Sequence, residues 1–118
     1  MVPSISVRVI TRPKWGLATH WGVLFPDGMV ADYSPEHGLR LTTLVVFSEG
    51  RPVNVVKEIP WPLSHVVRAR LEEVRRNPRQ YDLLAWNCET FAEWLTAGIP
   101  RSGQVVFALF LAALARCS

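Results

Sequence analysis

Apolar and polar positions alternate from Ser4 to Ile10, with Ile5, Val7 and Val9 set against Ser4, Ser6 and Arg8. A period of two predicts a half-buried strand. Ala18–Phe25 and Gly28–Tyr33 flank Pro26-Asp27-Gly28 and read as a hairpin. Leu39–Phe47 and Val53–Ile59 predict two more strands, divided by the turn Ser48-Glu49-Gly50-Arg51-Pro52. Pro60-Trp61-Pro62 then blocks further strand pairing, because proline has no N–H for the ladder. From Leu63 the period lengthens. Val66, Val67, Leu71 and Val74 recur at helical spacing until Asn77-Pro78 stops the helix. Asn87 reads as the N-cap of a helix Cys88–Ala97 that Gly98 closes, with Pro100 beyond. Strands early and helices late predict an α+β fold: a small antiparallel sheet of four or five strands packed against helices. Val105–Ala115 is an unbroken apolar run, well short of the ~20 residues that span a bilayer. It is expected to be a buried terminal helix, with a membrane-dipping helix as the alternative.

At 118 residues, 49% hydrophobic and 19% charged, the chain reads as one globular domain over residues 1–118, and its apolar content excludes a disordered chain. The formal charge of +3 is matched by the stretch Arg68–Arg79 alone, with five Arg and two Glu. Such a cluster suits phosphates on a membrane or a nucleic acid. The plainer reading is a solvated helix face, since Glu72 and Glu73 are within pairing distance. No aromatic RNA-binding signature or helix-turn-helix pattern is present, so nucleic acid is not the expected partner. Two cysteines, Cys88 and Cys117, and three histidines, His20, His37 and His65, make neither a disulfide framework nor zinc-ligand spacing, so neither metal nor cofactor is expected. Met1-Val2-Pro3-Ser4 does not open a secretion signal, and a reducing, cytoplasmic setting with free thiols is expected.

Cys88 directly follows the capping Asn87, where unpaired N–H groups and the helix dipole favour a thiolate. With Phe91, Ala92 and Leu95 it forms the stripe expected to face the sheet, while Glu89 and Glu93 face elsewhere. A lone buried cysteine is usually a small core residue. His20 changes the balance, because its same-face neighbours Ala18 and Gly22 are small and leave room for a helix bearing a thiol. Cys and His would then be nucleophile and base. The hairpin offers a third member by parity. If Pro26-Asp27-Gly28 is a three-residue loop, Asp32 pairs with Gly22 and shares the face of His20, diagonally displaced within reach of a hydrogen bond. His37, in a loop beyond Ser34-Pro35, is the rival orienter, with a plain surface role as its simpler reading.

The segments His20-Trp21-Gly22-Val23, the Pro-Asp-Gly hairpin, Tyr81-Asp82-Leu83-Leu84, Asn87-Cys88-Glu89-Thr90-Phe91 and Arg101-Ser102-Gly103-Gln104-Val105 together resemble the lecithin:retinol acyltransferase family. The nearest branch is the phospholipase and acyltransferase one related to the HRAS-like suppressor proteins. Each motif alone is weak, but the set occurs in order from about Val7 to Val105. The resemblance implies a circularly permuted papain-like (NlpC-type) fold, with Cys88 as nucleophile and His20 as general base. The orienting position falls on Asp32, where that branch usually carries a second histidine. Aspartate is chemically sound there and is reminiscent of bacterial relatives acting on amides, which weakens the inference about substrate. The C-terminal run is also shorter than the membrane-spanning tail of many animal members.

These readings lead to a cysteine acyltransferase or acyl hydrolase with a Cys88–His20–Asp32 triad, working through a thioester on a lipid ester such as a phospholipid. The alternatives are a cysteine amidase or peptidase of NlpC type on a peptide, and a non-catalytic binding module on the same scaffold. Trp61 between prolines and Trp15 beside Lys14 suit a peripheral membrane surface, though both could tuck under the sheet edge.

Overall fold

The computed structural model describes residues 6–14, 18–83 and 86–98. Trp15, Cys117, the start of the first predicted strand, the Arg101–Val105 motif and the apolar run 105–115 lie outside them. Five strands, β1 (Val7–Pro13), β2 (Thr19–Leu24), β3 (Met29–Ser34), β4 (Gly38–Thr43) and β5 (Asn54–Ile59), form one sheet in the order β4-β3-β2-β1-β5. Every neighbouring pair is antiparallel. Among the described residues, α1 (Leu44–Ser48), α2 (Ser64–Arg76) and α3 (Cys88–Ala97) are α-helices, and a 3-10 turn, Trp61–Leu63, leads into α2. The architecture is α+β. No described helix is long and apolar enough to cross a membrane.

Alternation gives the sheet two different faces. Val7, Val9, Val23, Phe25, Ala31 and Tyr33 project to one side and pack against Val67, Leu71 and Val74 of α2 and Phe91, Ala92 and Leu95 of α3. Burying these side chains, each worth about 1.5–3 kcal/mol for the larger ones, is what holds the helices to the sheet. The other face is thinner, with Ile10 and Val30 covered by Phe47.

Phe47 marks a departure from the expected strand Leu39–Phe47. The strand ends at Thr43, whose hydroxyl accepts the N–H of Val46 at 3.2 Å and caps the single turn of α1. A side chain that competes with the ladder for backbone bonds starts a helix here despite the β-branched residues after it. The turn swings Phe47 back over the sheet, fully buried, while Val45 points to solvent.

Along α2 the arginines are individually engaged. Arg75 pairs with Glu72 at 2.6 Å, Arg70 donates to the Leu95 carbonyl at 3.1 Å, and Arg68 lies 4.9 Å above the Phe25 ring. Beyond the helix, Arg79 stacks 4.3 Å over Trp86. Glu89 and Glu93, off the sheet-facing stripe of α3, are both buried nonetheless, and Glu93 meets Lys57 at 3.4 Å. The physical reason is that α3 is covered on more than its sheet-facing stripe, by α2 as well as by β2 and β3.

Candidate active site

The hairpin loop fixes the first part of the site. Phe25 N–H donates to Met29 O at 2.8 Å and Gly28 N–H to Phe25 O at 3.0 Å, with Gly28 at φ 92°, a conformation glycine adopts without penalty. This is the three-residue loop, and it sets Gly22 opposite Asp32. Asp32 therefore shares a face with His20. Its Oδ2 lies 2.9 Å from His20 Nε2, and both groups are buried, the carboxylate completely. His37 is exposed in its loop and takes no part in that bond.

The second turn adds a residue that sequence reasoning missed. Ser34 pairs with Gly38 across Pro35-Glu36-His37, so Asp32 stands directly opposite Arg40. Arg40 Nε donates to Asp32 Oδ1 at 3.0 Å and Nη2 to Oδ2 at 2.6 Å. Counting residues across this turn, as across the first, would have exposed the pair.

The third part comes from α3. Asn87 Oδ1 accepts the N–H groups of Glu89 at 3.0 Å and Thr90 at 2.9 Å, and Thr90 Oγ1 accepts the Asn87 N–H at 2.6 Å. This reciprocal cap sets the start of the helix at Cys88. Cys88 as a residue is 6% exposed, and its thiol lies 3.9 Å from the carbonyl of Thr19, the residue before His20.

One expectation fails in a way that clarifies the geometry. The space beside Gly22 was expected to admit the thiol-bearing helix, but Phe47 fills it. The Phe47 ring stacks on the His20 ring, with centroids 5.3 Å apart and planes 26° apart. A Cβ on Gly22 would come within 2.7 Å of Phe47 Cε2. α3 instead covers the opposite, more apolar face, which buries far more surface. Cys88 therefore comes near His20 past Thr19, at the N-terminal end of β2, and not across one face. Arg12, across from His20 on β1, lies 5.7 Å from the Phe47 ring and donates to Phe47 O at 2.6 Å and to Glu49 at 2.8 Å.

Electrostatics follow from this packing. Burial pushes the His20 pKa down, but hydrogen bonds to Asp32 and Cys88, together with their charges, more than offset it, and the ring holds its proton above the ordinary histidine value. For Asp32, burial pushes up, and the His20 and Arg40 bonds overcome it and keep the carboxyl below the usual range. Tyr81 lies close enough for Cys88 to add to the upward push of burial on its phenol. A cavity of about 320 Å³ opens beside His20, lined in part by Lys14, Glu36, His37, Arg40 and Arg51.

The site thus holds a histidine bonded through Nε2 to a buried carboxylate, and near it a thiol at a helix N-terminus, 3.9 Å from the carbonyl of Thr19. No protein-family model, curated protein or solved structure matches the chain.

Proposed function

We propose that the protein is a cysteine-dependent acyltransferase or acyl hydrolase, with Cys88 as nucleophile, His20 as general base and acid, and Asp32 as the group that orients His20. The observation that carries this reading is the 2.9 Å bond between buried Asp32 and His20 Nε2, which leaves Nδ1 of the ring for the Cys88 thiol. The resemblance in sequence supports a permuted papain-like fold and an acyl ester as substrate.

The chemistry runs in two halves. His20 takes the thiol proton, and the sulfur attacks a carbonyl carbon to give a tetrahedral oxyanion, towards which the Cys88 N–H can donate. Collapse breaks the bond to the leaving group, which departs with the proton from His20, and an acyl thioester remains. Water or another acceptor then attacks the thioester carbonyl and gives its proton to His20; the C–S bond breaks, the acid or transferred product leaves, and His20 returns the proton to the Cys88 sulfur. Asp32 stabilises the imidazolium in both halves without itself taking the proton.

A phospholipid substrate fits the exposed Trp61 and Leu63, which could sit at a bilayer interface. The polar cavity beside His20 favours the second reading, an amidase acting on a charged peptide. Incubation with a phosphatidylcholine and with a muropeptide, followed by intact-mass measurement, separates them. An acyl adduct on Cys88 from the lipid, absent in Cys88→Ser, supports the first. Turnover of the muropeptide alone replaces it with the second, and no adduct or turnover with intact binding of either ligand leaves a binding module.

A further inference from the structure

Resting on the Cys88–His20–Asp32 reading, we propose that Arg40 is a positioning residue of the same site: its guanidinium fork clamps both oxygens of Asp32 and thereby fixes the oxygen that His20 bonds and the negative charge that His20 feels. The geometry is specific. Asp32 Oδ2 takes two donors, Arg40 Nη2 at 2.6 Å and His20 Nε2 at 2.9 Å, while Oδ1 takes Arg40 Nε at 3.0 Å. The carboxylate is wholly buried, whereas Arg40, on edge strand β4, keeps about a quarter of its side-chain surface in solvent. Two parallel N–H donors in a rigid plane fix a carboxylate in rotation as well as in charge.

The consequence for His20 follows from charge balance. With a neutral imidazole, Asp32 and Arg40 cancel. Without Arg40, a buried negative charge remains that only a proton on the His20–Asp32 pair can neutralise, and the ring becomes a base already occupied at neutral pH. The other charged groups around the ring do not replace Arg40. Arg12 of β1, the cross-strand neighbour of His20, is already committed to Glu49 and to the Phe47 carbonyl. Cys88 approaches from α3, while Lys14, Glu36, His37 and Arg51 line the cavity. Among the hydrogen bonds of the described residues, those holding Asp32 by its side chain come from His20 and Arg40 alone.

The test is an NMR titration of the His20 imidazole in the wild-type chain and in Arg40→Gln, Arg40→Lys and Asp32→Asn variants. Arg40→Gln is expected to move the His20 midpoint upward by about one pH unit, the scale of deleting one nearby charge in a partly screened site. Arg40→Lys keeps the charge but cannot span both oxygens, so its midpoint lies above wild type and below Arg40→Gln. It carries the test if Arg40→Gln fails to fold. Asp32→Asn moves the midpoint down. A merely structural arginine would change stability and leave the titration where it was. Arg40 variants titrating like wild type, while Asp32→Asn still shifts His20, would overturn the role of Arg40 and leave the triad standing. An unshifted Asp32→Asn would overturn the His20–Asp32 pairing on which both rest.

Discussion

Replacing Gly22 with alanine puts two opposed effects in direct competition. In a strand with ordinary backbone geometry, Gly→Ala stabilises by about 0.4–1 kcal/mol, because it restricts the unfolded chain. Here the new methyl would stand 2.7 Å from Phe47 Cε2 and 3.1 Å from Val30 Cγ1. Phe47 cannot yield freely, since it is fully buried against the His20 ring and the Arg12 guanidinium. Overpacking of this kind costs about 1–3 kcal/mol, so the clash is expected to win and Gly22→Ala to be destabilising by about 1–2 kcal/mol. Urea denaturation read by tryptophan fluorescence gives the number. Shrinking the obstacle tests the cause. Phe47→Leu destabilises alone, but the double variant should be more stable than the two losses predict, with a coupling of about 0.5–3 kcal/mol. The reasoning is refuted if Gly22→Ala is neutral or stabilising, or if the two substitutions are additive.

Asn87→Ala removes the cap that receives two N–H groups and should cost about 1–2 kcal/mol in thermal or urea unfolding. Asp32→Ala should lower turnover on the order of 10²- to 10⁴-fold in a steady-state assay, while Cys88→Ser abolishes it. The pair also predicts a pH window for stability. Asp32, held below its usual pKa, contributes stability above about pH 4 that is lost as the pH falls, and His20, held above 6.5, contributes stability that is lost as the pH rises through its raised value. Denaturation profiles should therefore show the wild-type advantage over Asp32→Asn greatest between about pH 4 and 6.5 and shrinking on either side.

Local chemistry made much of this site readable from the chain. Pro26-Asp27-Gly28 dictates its own loop length, and loop length dictates register, so the pairing of Gly22 with Asp32 and the approach of Asp32 to His20 follow from three residues. Asn87 and Gly98 likewise delimit α3 because capping is decided within one turn. What a single hairpin cannot convey is which face a distant helix covers. Small neighbours of His20 suggested room for α3, yet Trp21, Val23 and Phe25 on the opposite face offer more apolar area, and tertiary burial decides the matter. The vacancy went to Phe47, which local sequence hides inside a β-branched run broken only by the Thr43 cap. Arg40 is legible in principle, through the register across Pro35-Glu36-His37, but that turn lacks a Pro-Asp-Gly signature to announce its loop length.

Whether His20 activates the Cys88 thiol can be measured without knowing the substrate. Native protein is treated with iodoacetamide near neutral pH, and labelling of the Cys88 peptide is followed by mass spectrometry, which also keeps Cys117 apart. Cys88 is predicted to react readily in the folded chain and at least about tenfold more slowly in His20→Ala at the same pH. Equal rates in the two proteins, or labelling of Cys88 only after unfolding, would contradict the proposed nucleophile–base pair.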